Sequence, residues 1–400
     1  MKAIQTPWQV TLAILTFNTV LMSASYTMLI PFLPMYLIEE LGVAQSDVNW
    51  WSSIIFSVTF LISGIMAPIW GAMADKNSRK LMALRAATCL AIVYFLGGLV
   101  SGPWQLFWVR VLQGFSAGLW PATLAIMSAQ APHNRLGFAM GVMQGGLTAG
   151  GVLGPLAGGL LAEYFGMRST FMIAGASLAF IAVVLAIFVA DSRPNPAQKT
   201  ATVSRPVRPN PLRLVAAGVV QLTILMTQPV LPLYIAELQH SMDKIVLVSG
   251  IVFSIVGISG VIASPAWGIL GQGWGFRPAL YLALFLSGVF GVIQALPHDL
   301  TWFTALRFVG GIAFAGIFPA INAVLTQSTD PADRGKVFGY SYAAQQFGSV
   351  VGPILGAALA TWFSNQVSIA AAGALLFPVV AILYWFRPKA SSASGTPLNE

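Results

Sequence analysis

The sequence of 400 residues is 57% hydrophobic and only 8% charged, with a formal net charge of +8. Globular domains carry roughly 25% charged residues, so this composition excludes a soluble protein with an ordinary surface. The mean hydropathy of +0.79 indicates a chain whose surface faces lipid. Because the sequence holds a single cysteine, Cys89, it excludes a disulfide within the chain and a metal site built from several thiolates.

The apolar residues form runs long enough to cross a bilayer, for which a helix needs about 20 residues. The runs predict twelve membrane helices near residues 8–37, 50–73, 81–100, 104–128, 136–162, 169–190, 212–237, 245–271, 277–297, 300–326, 335–362 and 367–387. They are continuous, whereas a membrane β-barrel has segments of about ten alternating residues. The predicted fold class is therefore an all-α integral membrane protein with twelve transmembrane helices.

The basic residues collect on one side of this predicted topology. All but four of the twenty Lys and Arg residues fall in the even-numbered connections and the two termini, the exceptions being Arg110, Arg168, Lys244 and Arg307. We call this the basic side and the opposite one the acidic side. Since Lys and Arg remain in the cytoplasm, the pattern predicts a multi-pass plasma-membrane protein with both termini cytoplasmic. The net positive charge is then explained by membrane topology, and we expect no nucleic-acid partner.

The chain divides into two similar halves. Residues 191–211 are rich in proline and basic residues and predict a linker, so we expect a six-helix bundle over residues 1–190, a cytoplasmic linker over 191–211, a second bundle over 212–387 and a tail over 388–400. Motifs of the first half return about 197 or 198 residues later. They are PFLPMYL and PVLPLYI, PIWG and PAWG, and RVLQG and RFVGG. Such ordered repeats indicate duplication, and paired six-helix bundles are a transporter architecture with the substrate site between them.

A glycine-rich segment repeats with every interval preserved. Its members are Gly141, Gly150, Gly154, Pro155 and Gly158, which recur as Gly339, Gly348, Gly352, Pro353 and Gly356. Small residues allow membrane helices to pack closely. The spacing of four residues from Gly150 to Gly158 therefore predicts a smooth stripe for a neighbouring helix, with a bend at Pro155.

Two groups of charged residues are candidates for gating and coupling. The connection GAMADKNSRK contains Asp75, Arg79 and Lys80, which suit a charge network at helix ends, although they also suit simple anchoring on the basic side. Arg110 lies within a predicted span, where a charge costs at least about 2.5 kcal/mol and marks a functional site. Gln113 follows one turn later and extends the polar stripe.

These motifs together resemble the major facilitator superfamily, in particular its twelve-span drug/proton antiporter branch. GAMADKNSRK is similar to that family's loop signature, RVLQG to its fourth-helix signature and GVMQGGLTAGGVLGPLAGG to its fifth-helix antiporter signature. The resemblance covers essentially the whole chain. It implies two pseudo-symmetric bundles, Asp75 and Arg79 in a cytoplasmic gate, and Arg110 in proton coupling.

The acidic residues depart from the pattern of many such antiporters. All twelve lie in connections, at span ends or in the tail, so no carboxylate is expected inside a membrane helix. Proton coupling would then depend on carboxylates at span ends, and Asp75 and Glu39 are the candidates. No phosphate-binding loop is present, so we expect no cofactor, and the energy source is a proton gradient.

Polar and aromatic residues at membrane depth predict the lining of a substrate cavity. They are Asn18, Phe115, Trp120, Met143, Gln144, Gln221, Gln228, Asn322, Tyr342, Gln345 and Gln346. Amides among aromatic side chains suit lipophilic small molecules, although amides also join membrane helices by hydrogen bonds.

The sequence favours a monomeric exporter of lipophilic compounds, in contact with membrane lipid and driven by protons. The alternative is a sugar or metabolite exporter, or a facilitator, without strict proton coupling. An integral-membrane enzyme would need a cluster of catalytic His, Asp or Glu at membrane depth. The sequence shows none, since its three histidines lie in or beside connections.

Overall fold

The computed structural model is helical throughout the part of the chain that it describes, which is residues 7–76, 78–132, 135–190, 211–242, 244–327 and 334–386. The first half contains α1 (Trp8–Thr27), α2 (Leu33–Met35), a π-helical turn (Tyr36–Glu40), α3 (Val48–Lys76), α4 (Arg79–Leu99), α5 (Pro103–Phe115), α6 (Leu119–Gln130), α7 (Leu136–Phe165) and α8 (Met167–Phe188). The second half contains α9 (Pro211–Thr227), α10 (Leu231–Gln239), α11 (Ile245–Trp274), α12 (Phe276–Ile293), α13 (Leu300–Phe314), α14 (Ile317–Gln327), α15 (Arg334–Trp362), α16 (Asn365–Ala374) and α17 (Leu376–Trp385).

Ten helical segments of the described chain are long and apolar enough to cross a membrane, or eleven if α9 and α10, bent by 43°, count as one. The expected continuous helix over residues 104–128 is wrong, because this region forms α5 and α6. Gly118 between them adopts a φ of 117°, which only glycine adopts readily. The two helices have 13 and 12 residues, so neither reaches the length of a membrane span alone.

The expected first span, residues 8–37, is also interrupted. Helix α1 ends at Thr27, and the chain passes through turns before α2 and the π-helical turn. Pro31 and Pro34 lie in this segment, and proline removes a backbone donor and clashes with the preceding turn. The equivalent place in the second half, between α9 and α10, contains Pro229 and Pro232 and is bent in the same way.

The glycine stripe of α7 packs against α1 of its own half. A Cβ on Gly150 would overlap the carbonyl oxygen of Val20, and one on Gly158 would overlap that of Met28. In the second half, Gly348 meets α9 in the same way. Helix α7 continues through Pro155 from Leu136 to Phe165. The repeated glycines therefore bring two backbones together within each half.

Two pairs of long helices join the halves to each other, α7 with α11 and α3 with α15. The Ser254 hydroxyl donates to the carbonyl oxygen of Val152 at 2.7 Å, and the Ser57 hydroxyl donates to that of Val350 at 2.8 Å. Towards the acidic side, a Cβ on Gly159 would lie 3.0 Å from the carbonyl oxygen of Val246. The halves therefore meet closely from their middle to the acidic side.

This close packing does not extend to the basic side. A Cβ on Gly141 or Gly145 of α7, or on Gly268 of α11, would meet no other described residue within 4 Å. In the α3–α15 pair, a Cβ on Gly64 would meet only the Cβ of Gln346, at 4.0 Å. The space between the halves is thus closed near the acidic side and wider near the basic side.

The glycine stripe gives a direct test of this packing. We expect Gly150→Ala to destabilise the protein by roughly 1–3 kcal/mol, because the added methyl forces α1 and α7 apart. Thermal unfolding of the purified protein in one detergent measures the effect.

Gly141→Ala is the matched control within the same helix. Its methyl enters open space, and alanine favours a helix by up to about 1 kcal/mol over glycine, so this variant should be as stable as the parent or more so. Equal losses of stability in both variants would show that contact with α1 does not select glycine at position 150.

Candidate functional site

The basic residues that follow position 75 bind the carboxyl ends of neighbouring helices. The guanidinium of Arg79 donates to the carbonyl oxygen of Ala125 at 3.2 Å, and the Lys80 ammonium donates to that of Ala186 at 2.7 Å. Ala186 lies in the last turn of α8, where the helix dipole favours a cation, and Ala125 lies in the carboxyl-terminal half of α6. The side chain of Asp75 lies outside the described part of the chain, so its place in this network stays a prediction.

A tryptophan and an arginine hold the break between α5 and α6. The Trp70 indole donates to the carbonyl oxygen of Phe115 at 2.8 Å, and Arg85 donates to that of Ala117 at 2.9 Å. The guanidinium carbon of Arg85 also lies 3.5 Å from the centroid of the Trp70 ring. Because the break releases carbonyls from the helical pattern, these two side chains supply the donors that a bilayer cannot provide.

The second half repeats this joint without the cation. The Trp267 indole donates to the carbonyl oxygen of Ile312 at 2.7 Å, next to the break between α13 and α14. At the offset of 197 that relates Trp70 to Trp267, the residue corresponding to Arg85 is Leu282. The break in the first half is therefore the one that carries a positive charge.

Arg110 lies buried within the first half and leads a chain of hydrogen bonds. Its guanidinium donates to the Gln113 side-chain oxygen at 2.9 Å, and the Gln113 amide donates to the Tyr94 hydroxyl at 3.2 Å. The hydroxyl of Thr59 donates to the Arg110 backbone carbonyl at 3.4 Å. The guanidinium nitrogen Nε has no partner in the described part of the chain. A buried cation is thus held by neutral groups only.

The same arginine reaches a cavity shared by the two halves. The cavity has a volume of about 20 Å³ and is lined by Tyr26, Leu29, Ile30, Phe56, Thr59, Phe60, Arg110 and Gln228. Gln228 belongs to the second half and the other residues to the first. The arrangement therefore places a buried cation at a contact between the two halves.

Arg307, the counterpart of Arg110, has a different environment. Its guanidinium lies 3.5 Å from the side-chain oxygen of Gln294 and 5.6 Å from the centroid of the Phe303 ring. The residue that corresponds to Gln113 is Gly310, so the hydrogen-bond chain of the first half is not repeated.

An ion pair fastens the acidic side of the first half. The Arg168 Nε donates to Glu40 Oε2 at 2.7 Å, and the same guanidinium donates to the carbonyl oxygen of Val100 at 2.8 Å. Glu39 precedes Glu40 and its side chain reaches the surface. Its pKa is raised, mainly by desolvation in the packed turn and secondly by the Glu40 carboxylate, so Glu39 holds a proton more readily than an ordinary glutamate.

The predicted cavity residues fall into three groups. Met143 and Asn18 are buried, Met143 inside the apolar core, and neither amide atom of Asn18 has a hydrogen-bond partner in the described part of the chain. The exposed residues are Phe115, Gln144, Asn322 and Tyr342, and the half-buried ones are Trp120, Gln221, Gln228, Gln345 and Gln346. Of the whole set, Gln228 lines the cavity that contains Arg110.

Sequence reasoning missed several residues of this site. Tyr94, Tyr26 and Thr59 look like ordinary span residues because nothing in their local pattern marks them. Trp70 gave a signal, since it stands in the repeated PIWG and PAWG motifs. A tryptophan kept at the same place in both halves indicates a shared partner, which the structure identifies as a backbone carbonyl.

Comparison with known proteins gives matches along nearly the whole chain. A family model for the Major Facilitator Superfamily matches residues 15–262 and 213–400. Multidrug resistance protein MdtG of Salmonella arizonae is 33% identical over 384 residues, covering 93% of this chain and 94% of that protein. The protein of the same name from Citrobacter koseri is 34% identical over 385 residues, with the same coverage.

Solved structures share the fold at lower sequence identity. A nucleoside transporter, NupG, matches with a TM-score of 0.78 and 15% identity, covering 95% of this chain and all of that one. The human organic anion transporter MFSD10 matches with a TM-score of 0.70 and 17% identity, again over 95% of this chain and all of that one. These matches confirm the fold class expected from the sequence.

The Trp70 hydrogen bond can be tested alone. Trp70→Phe keeps an aromatic ring but leaves the Phe115 carbonyl without its donor, so we expect a loss of about 1–3 kcal/mol of stability. Trp108→Phe is the control, because Trp108 lies on α5 with 62% of its surface exposed. Thermal unfolding in detergent should show less than about 0.5 kcal/mol for the control; similar losses at both positions would contradict the role given to the indole.

The Arg110 chain predicts an order of effects. Gln113→Leu removes the acceptor of a buried guanidinium and should cost roughly 1.5–3 kcal/mol of stability, whereas Tyr94→Phe removes a neutral hydroxyl and should cost about 0.5–1.5 kcal/mol. Denaturation midpoints of the two purified variants check this order. A Tyr94→Phe variant that is the less stable of the two would place the main interaction at Tyr94 instead.

Proposed function

The chain belongs to the Major Facilitator Superfamily, and we propose that this membrane transporter exports lipophilic small molecules in exchange for protons. It is a multi-pass membrane protein and not an enzyme. The observation that carries the proposal is Arg110, a buried cation held by neutral side chains at a cavity between the halves. A charged residue at membrane depth marks a functional site, and this one lies where a change in charge or in the relative position of the two halves would act on it.

Alternating access is supported by the way the halves meet. The halves pack closely near the acidic side. Near the basic side, a Cβ added to Gly141 or Gly145 of α7, or to Gly268 of α11, would meet no described residue of the other half. If the basic side is cytoplasmic, as its Lys and Arg residues predict, compounds enter the wide end from the cytoplasm or the inner leaflet. Rocking of the halves then exposes these compounds to the outside of the plasma membrane, while both termini remain cytoplasmic.

The proposed substrates follow from the chemistry of the predicted cavity and from the relatives. Phe115 and Tyr342 are exposed aromatic side chains, Gln144 is an exposed amide and Gln228 a half-buried one. Apolar walls with few polar anchors suit lipophilic compounds. The relatives named multidrug resistance proteins, one third identical over nearly the whole chain, point to the same class.

Protons are the proposed energy source, and a monomer in contact with lipid is the proposed working unit. One charge crossing 100 mV releases about 2.3 kcal/mol, which sustains a useful concentration gradient. The proposed proton carriers are Glu39, whose pKa is raised by desolvation, and Asp75. Arg110 is the residue that we propose responds to the change in charge.

The proposal is tested with the full-length protein in proteoliposomes loaded with a lipophilic fluorescent dye. An imposed pH gradient should drive dye out against its concentration gradient, and an ionophore that collapses the pH gradient should stop this. Arg110→Lys keeps the charge but loses the planar fork that binds Gln113. We expect uphill efflux about tenfold slower in this variant, since a hydrogen bond to a charged group is worth about 1.5–3 kcal/mol.

Arg307→Lys is the matched control and should retain a rate within about twofold of the parent. Dye that moves only downhill and ignores the pH gradient would refute antiport and favour the facilitator. The amide variants Glu39→Gln and Asp75→Asn distinguish the two proposed carriers. The residue that carries the proton is the one whose variant no longer responds to pH but still moves dye downhill.

A further inference from the structure

The cavity at Arg110 has room for a small ligand of its own. Its volume of about 20 Å³ exceeds the roughly 10–15 Å³ that one water molecule needs. It is far below the roughly 300–1,000 Å³ of a pocket for a drug-sized compound. The cavity therefore admits one small ion or one water molecule, and its occupant is distinct from the lipophilic compounds proposed above as substrates.

The charge at this cavity is positive and unbalanced. Arg110 lines the cavity, and its Nη1 donates to a neutral group, the side-chain oxygen of Gln113. Among the described residues that line the cavity, none is acidic. The one salt bridge in the described part of the chain lies elsewhere, between Arg168 and Glu40. Because burying a charge without a counter-charge costs free energy, an anion that reaches this guanidinium gains by neutralising it.

Three donors of the residues lining the cavity make no hydrogen bond to another described residue. One is Nη2 of Arg110, which, unlike Nε of the same guanidinium, is not enclosed by protein atoms. The others are the hydroxyl of Tyr26 and the side-chain amide of Gln228. The hydroxyl of Thr59 is already used, since it donates to backbone carbonyls of α3 and α5. The cavity thus offers N–H and O–H donors, one of them charged.

Tyr26 shows that an ion can reach the cavity. Its side chain is 39% exposed, and its hydroxyl lies close enough to the Arg110 guanidinium and to Tyr342 of the second half to interact with both electrostatically. The exposed surface of Tyr26 therefore faces the space between the halves. The remaining walls are apolar and come from Leu29, Ile30, Phe56 and Phe60. Three donors satisfy a monatomic anion, whereas the several oxygens of a phosphate would be left without donors.

We infer that this cavity binds a halide ion, such as chloride, among the Arg110 guanidinium, the Tyr26 hydroxyl and the Gln228 amide. The ion supplies the counter-charge that the described lining residues do not provide. Arg110 and Tyr26 belong to the first half and Gln228 to the second, so the bound ion joins the two halves in the arrangement of this structure. This inference goes beyond the proposed function, which gives Arg110 a part in coupling and no ligand.

The test is thermal unfolding of the purified full-length protein in one detergent, with chloride or bromide replacing gluconate at constant ionic strength. A ligand that binds only the folded state raises the unfolding midpoint, and we expect a rise of at least about 2 °C with either halide. Gluconate is too large for the cavity and sets the baseline. Equal midpoints in halide and gluconate would mean that the cavity holds water only and would overturn the inference. No transport is measured, so this result is independent of proton exchange.

Substitutions then locate the ion. Tyr26→Phe and Gln228→Leu each remove one donor, and each should raise the chloride concentration needed for a given shift about tenfold. Tyr164→Phe is the matched control, because it removes a hydroxyl from a residue of α7 that is 76% exposed; its response to chloride should equal that of the parent. An unchanged response in both Tyr26→Phe and Gln228→Leu, or an equal loss in Tyr164→Phe, would refute the site.

Bromide gives a second check that needs no variant. Its anomalous scattering in crystals of the parent protein grown with sodium bromide should show one ion in the cavity, within hydrogen-bond distance of the Arg110 guanidinium. Bromide found only at other positions would show that the halide effect comes from adventitious ions and would contradict the assignment.

Discussion

A backbone carbonyl inside a bilayer must find a donor within the protein, and this requirement accounts for most of the long-range polar contacts described here. Trp70, Trp267 and Arg85 donate to carbonyls at the breaks of two spans. Ser57 and Ser254 donate to carbonyls across the two contacts between the halves. Hydrogen bonds to the backbone depend on the path of a helix and not on the partner's side chain, so they survive when the neighbouring sequence changes.

This dependence on backbone explains how two halves with limited sequence likeness keep the same joints. The hydroxyls of Tyr36 and Tyr234 donate to the carbonyls of Gly97 and Ala295, although the accepting residues differ. The repeated glycines act through backbones too, since Gly150 and Gly348 meet the carbonyls of α1 and α9. The likeness between the two halves is therefore preserved where a side chain or a glycine contacts the backbone of another helix.

Charge, by contrast, differs between the halves at these joints. Arg85 corresponds to Leu282, and Arg168 corresponds to Asn365. Arg110 does have a counterpart in Arg307, but Gln113 does not. Each difference leaves the architecture intact and changes the local electrostatics, because a cation of the first half is replaced by a leucine or an amide in the second.

Much of this fold could be predicted from the sequence, because long apolar runs have no alternative to the helix in lipid. The break at Gly118 could not be predicted, because the segment GFSAGLW looks like the continuation of an apolar run. The positive φ of Gly118 is set by the packing around it. Met143 and Asn18 show a related limit. In a helix that is apolar all round, the sequence does not mark which face meets another helix, so Met143 was predicted to line a cavity and lies in the core.

The contacts between the halves also bear on how easily they separate. From the middle to the acidic side they include close backbone approaches at Gly159 and Gly250, two serine hydrogen bonds and an edge-on contact between Trp50 and Trp362. Each of those bonds contributes only about 0.5–1.5 kcal/mol. Direct ion pairs would oppose separation more strongly, and in the described part of the chain the single salt bridge, between Arg168 and Glu40, lies within the first half. The halves are therefore held together by hydrogen bonds and close packing, and no ion pair joins them among the described residues.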